Sequence, residues 1–163
     1  GTGQRFRVTV AVSRQTSRVH APYSVPPEAL TMASIRRRLE LHASPASVWS
    51  ALCAVGEIHT RLARGFVTLT TLEGSDRIVH FANGLTVRER IVAIDSDSRR
   101  LAYTVIGGRA SHHHASFEVF DGSDGGTRLV WTTDVLPDDV APALAGMMEQ
   151  GLVAMRNTLE GTE

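Results

Sequence analysis

The chain has 163 residues, enough for one domain with a real core. Seventeen arginines, with no lysine, balance 17 acidic residues at a pI near 7.2, so no basic surplus points to nucleic acid or an anionic membrane surface. No run approaches the roughly 20 apolar residues of a membrane span. The single cysteine, Cys53, has no partner for an intramolecular disulfide and reads as a small buried hydrophobe. The opening GTGQRFRVTVAVS lacks a continuous apolar run, so no secretory signal is expected and a cytoplasmic protein is the default.

Residues 1–31 stand apart. They carry Arg5, Arg7, Arg14 and Arg18 against Glu28 alone. Phe6, Val8, Val10 and Val12 alternate as in a short strand. Pro22, Pro26 and Pro27 then break any regular structure, because proline fixes φ and lacks a backbone donor. The stretch reads as an extension or linker ahead of a main domain over residues 32–163.

Ser34 to Leu41 alternates Ile35, Arg37, Leu39 and Leu41 against Arg36, Arg38 and Glu40, which predicts a first strand. Ser44 is a good helix N-cap and Pro45 suits the first helical position. Val48, Trp49, Leu52 and Cys53 follow at helical spacing, and Gly56 stops that helix. A second short helical piece is expected from about Glu57 to Arg64. Phe66 to Leu72 and Arg77 to Ala82 read as strands about a Glu73–Asp76 turn.

The stretch from Asn83 to Gly108 organises the rest. Asn83-Gly84 is a strong turn signal. Leu85, Val87, Glu89 and Ile91 then share one face of a strand, and Thr86, Arg88 and Arg90 share the other. Glu89 is out of place, since a carboxylate facing a core is costly unless something satisfies it. Three readings fit: a cavity holding water or ligand, a local bulge that turns Glu89 outward, or a buried Glu–Arg pair. A return strand follows the Asp95–Ser98 turn. His112 to Phe120 and Thr127 to Val135 are the last two strands, separated by DGSDGG. Asp138 to Leu159 is the longest helical segment. Its apolar stripe runs through Leu144, Met148, Gly151 or Leu152, Met155 and Leu159, and Gly161 closes it.

Strand, two short helices, six strands and one long helix form a specific order. Seven antiparallel strands need a cover for their inner face, and a long amphipathic helix supplies it in an α+β architecture. The methionine stripe serves either as plain core or as the adaptable lining of a cavity.

This order and several residue clusters resemble the SRPBCC superfamily (START or Bet v 1-like), in particular its polyketide cyclase/dehydrase and lipid-transport branch. The carriers are Ala43-Ser44-Pro45-Ala46-Ser47-Val48-Trp49, Asn83-Gly84 with Arg88-Glu89-Arg90-Ile91, Leu101-Ala102-Tyr103, and Gly126 to Trp131 before Pro137. The resemblance covers about Ser34 to Leu159. It implies a helix-grip fold: a seven-stranded curved antiparallel sheet wrapped around the long C-terminal helix, with two short helices after the first strand. It also implies a deep cavity for a small apolar molecule. In the plant abscisic acid receptors, distant members, an ERL segment supplies an inward Glu that contacts ligand, and Glu89 matches it. Their gate strand resembles Val105-Ile106-Gly107-Gly108, although their His-Arg-Leu latch is absent here. Their Tyr-x-Ser becomes His114-x-Ser116, so His114 and Ser116 are expected to face the cavity. Phe81, Val87, Tyr103, Met148, Leu152 and Met155 complete the expected lining. Thr132 and Asp134 are further candidates of ambiguous parity.

A metal site would need more than His112, His113 and His114, and no second cluster at ligand spacing exists, so no metal and no cofactor are expected. Cys53 has no evident base and the chain has no Gly-rich phosphate loop. Arg61 and Arg64 are candidates to flank a cavity mouth. Two function classes remain open. The first is binding of a small hydrophobic molecule, lipid- or polyketide-like, with Glu89 and His114 satisfying its polar group. The second is a polyketide aromatase/cyclase or dehydratase using the same residues as an acid–base pair. The binding class is favoured, because no complete catalytic constellation can be named.

Overall fold

A computed structural model describes residues 32–161. The extension expected over residues 1–31 lies outside them. Seven strands form one antiparallel sheet: β1 (Ala33–Leu41), β2 (Val67–Glu73), β3 (Asp76–Phe81), β4 (Thr86–Asp95), β5 (Arg100–Ile106), β6 (His112–Asp121) and β7 (Thr127–Leu136). Their spatial order is β1-β7-β6-β5-β4-β3-β2. Helix α1 (Pro45–Cys53) and a π-helical turn (Ile58–Leu62) separate β1 from β2. A 3-10 turn (Asp138–Val140) leads into the long helix α2 (Ala141–Glu160). This is the helix-grip α+β fold: a curved open sheet gripping a C-terminal helix, with two short helical pieces after the first strand.

Local chemistry accounts for the element ends. The Ser44 hydroxyl accepts from the Ser47 amide at 3.2 Å, and Pro45 occupies the first helical position of α1. Gly161 takes the left-handed conformation that ends α2. Met148, Gly151, Leu152 and Met155 are the buried positions of α2, in line with the sequence stripe. Gly151 permits a close approach here. A Cβ at that position would lie 3.2 Å from both the Phe66 and Trp131 rings, so glycine lets the helix rest on them.

The alternation of β4 holds where it matters. Glu89 pairs across with Arg77 on β3 and with Val105 on β5, on the inner face. A bulge does occur in β4, but between Ile91 and Ala93, and so it leaves Glu89 pointing inward. On the opposite face, Asp76 accepts from Arg88 and Arg90, and Arg88 also reaches Glu73. The Arg90 guanidinium, followed by that of Arg88, holds the Asp76 carboxyl below its usual range. That network fixes the β3–β4 register that the inner face depends on.

Candidate functional site

The inner face of β3 to β7 and the first turns of α2 enclose a cavity of about 450 Å³. Most of its wall is apolar or aromatic: Phe66, Phe81, Val87, Val105, Trp131, Leu144, Met147 and Met148 contribute. Leu85, Arg109 and Asp139 line it at exposed positions, which places its mouth between the β3–β4 turn, the β5–β6 loop and the start of α2. Gly107 and Gly108 shape that loop with φ of 78° and 82°, a region that side chains resist.

Inward of the exposed rim, where Thr86 also contributes, four polar groups break the apolar wall. Glu89 is 7% exposed, and its carboxylate accepts from Arg77 Nε at 2.7 Å; Arg77 is itself 3% exposed. The buried Glu–Arg pair and the cavity are therefore both present. Glu89 lines the main cavity, while Arg77 lines a smaller void of about 40 Å³ behind it. The Arg77 guanidinium also lies 5.1 Å from the centre of the Tyr103 ring. Tyr103 accepts from the Trp131 indole N–H at 3.2 Å, and Phe117 stacks between the two rings. Burial, then the nearby Glu89 carboxylate, push the Tyr103 phenol up, so it keeps its proton at neutral pH. Thr133 is 1% exposed, and its hydroxyl has no hydrogen-bond partner among the described residues. His113 is the fourth group. Burial, reinforced by His112 and His114, pushes its imidazole down from 6.5 to about 4, which leaves it neutral at physiological pH.

Of the residues expected from the sequence, Phe81, Val87, Glu89, Tyr103 and Met148 line the main cavity. Met155 lines the smaller void and Leu152 is buried in the core. His114 and Ser116 are on the other face of β6. Ala115, Phe117 and Val119 turn inward and are nearly fully buried, so strand parity places His113 with them and turns His114 and Ser116 away. Their cross-strand neighbours are Asp134 and Thr104 for His114, and Thr132 and Ala102 for Ser116. Thr132 and Asp134 also face away, and Trp131 and Thr133 are the β7 residues on the cavity. Arg61 binds the Ser50 hydroxyl and pairs with Glu57, and neither it nor Arg64 lines the cavity. Among the described residues no group of three His, Cys, Asp or Glu side chains is placed to hold a metal.

The sequence reading missed His113, Trp131 and Thr133. The signal was present for His113, since it shares a face with Ala115, Phe117 and Val119 by simple alternation. Its depressed imidazole has a measurable consequence. Between pH 6.5 and about 4 the unfolded chain binds a proton that the folded chain does not, so stability falls as pH falls through that window. His113→Gln should flatten that part of a plot of urea midpoint against pH. An unchanged slope would mean that the imidazole is in water.

A family model for polyketide cyclase/dehydrase and lipid transport matches residues 32–160. The chain belongs to this family. No curated protein matches it. Solved structures share the SRPBCC-type fold at low identity. An uncharacterized protein from Bacillus thuringiensis superposes with a TM-score of 0.71 at 17% identity, covering 78% of this chain and 99% of that one. The protein XoxI from Bacillus cereus gives 0.68 at 19% identity, with coverage of 78% and 96%. No helix among the described residues of this family member is long and apolar enough to cross a membrane.

Proposed function

We propose that this protein binds a small hydrophobic ligand, lipid- or polyketide-like, in the cavity between the sheet and α2. The cavity itself carries this reading. Its volume of about 450 Å³ suits a small organic molecule, and its walls are mainly apolar with a few convergent polar groups. Family membership supports ligand binding as the general role. A cytoplasmic setting belongs to the same reading, in keeping with a single free cysteine.

The acid–base alternative, an aromatase/cyclase or dehydratase, has less support. Glu89 is held by Arg77, and the histidine first assigned to the pair, His114, faces the other side of the sheet. Native mass spectrometry on protein purified from its own source, compared with the same sample after denaturation, tests the binding reading. A co-purifying apolar molecule is the expected result. Protein that emerges empty, and that stays empty when offered apolar ligands, would overturn it.

A further inference from the structure

The polar groups on the inner face are arranged in a way that selects among apolar ligands. Glu89 and Tyr103 are on the adjacent strands β4 and β5, with Tyr103 opposite Ile91, two residues along from Glu89. Glu89 lines both the main cavity and the smaller void, while Arg77, which holds one of its carboxylate oxygens, lines only the void. An incoming carboxylate therefore meets a like charge, and an incoming hydroxyl meets a charged acceptor. Tyr103 supplies the complement. Its oxygen already accepts from Trp131, and no described residue accepts its own proton. A hydroxyl between them can donate to Glu89 and accept from Tyr103.

Thr133 is an independent observation. It lines the cavity from β7, two strands from Tyr103 across Ala115. Its direct neighbours across the sheet are Ile35 and Ala115, whose side chains carry no polar atom. Its buried hydroxyl has no partner among the described residues, a state that costs free energy until a ligand or water satisfies it. It is placed for a second oxygen, on the far side of the ligand from Glu89. Among the described residues the one cation lining the mouth, Arg109, is exposed and shares the rim with Asp139, so it offers a carboxylate little in water.

Resting on the binding function above, we propose that the cavity selects a neutral, dioxygenated apolar ligand, with a hydroxyl between Glu89 and Tyr103 and a second oxygen at Thr133, and that it rejects carboxylates. Calorimetry on the full chain at neutral pH, with naphthalene, 2-naphthol, 2,6-dihydroxynaphthalene and 2-naphthoate, tests this. A hydrogen bond to a charged group predicts that 2-naphthol binds about 10-fold or more tighter than naphthalene, and a neutral one predicts a further gain of about 3-fold for the diol. 2-Naphthoate should bind more weakly than 2-naphthol by about 10-fold or more. Tyr103→Phe should reduce the preference for 2-naphthol over naphthalene, and Thr133→Val should remove only the gain of the diol. The wild-type ranking stands as a test even if a variant folds poorly. Naphthoate binding as tightly as naphthol, or Thr133→Val keeping the full gain of the diol, overturns the proposal and leaves an unselective apolar pocket in place. No binding of any of the four, naphthalene included, overturns the binding reading as well.

Discussion

Arg77→Met should destabilise the fold by about 3–5 kcal/mol, because it leaves Glu89 as a buried charge without its partner. The two side chains are 4% and 9% exposed and meet at 2.7 Å across the β3–β4 pair. The cavity beside Glu89 can admit water to its second oxygen, so the lower end of that range is the better expectation. Replacing both partners, in Arg77→Met/Glu89→Leu, removes the two charges together. That variant should recover to within about 1 kcal/mol of the parent or exceed it, since an apolar pair of similar volume commonly matches a buried ion pair. Urea denaturation of the parent, both single variants and the double variant closes the thermodynamic cycle. A single Arg77→Met variant as stable as the parent would show that Glu89 is satisfied from the cavity and not by Arg77. The double variant should also lose discrimination between naphthol and naphthalene, which separates the structural role of the pair from its contact with ligand.

Val105→Trp should block ligand retention by about 100-fold, or about 2.7 kcal/mol, while leaving the fold intact. Val105 is half-buried on the inner face of β5, directly across from Glu89, and it lines the main cavity. An indole there projects into existing space. The usual penalty for overpacking a dense core, about 1–3 kcal/mol, should therefore largely be avoided. Tryptophan is also well suited to a strand. The measurement pairs ligand retention in native mass spectrometry with the urea midpoint. Retention unchanged in a folded Val105→Trp protein would place the ligand elsewhere.

Several features were legible from the sequence because they depend on neighbours along the chain. Ser44 and Pro45 set the start of α1 through a contact spanning three residues. The alternation of Val87, Glu89 and Ile91 placed Glu89 inward, and the order of elements, strengthened by the family resemblance, gave the helix-grip architecture. Alternation in β6 also contained the right answer for His113. The resemblance to Tyr-x-Ser pointed instead to His114 and Ser116, a shift of one residue that moves every side chain to the opposite face.

The sequence by itself determined the elements, their order and the presence of one misplaced acid. Only the tertiary structure decided what that acid meets. Arg77 and Glu89 are 12 residues apart, and nothing local distinguishes Arg77 from Arg88 or Arg90 as the partner. The β3–β4 register does so by setting Arg77 directly opposite Glu89 and turning the other two arginines to Asp76 on the outer face. Thr133 likewise gains meaning from Ile35, which approaches it from a strand distant in sequence, and from Ala115 on the preceding strand. Propensity and periodicity act over a few residues. Satisfaction of a buried polar group depends on whichever strands the fold brings beside it.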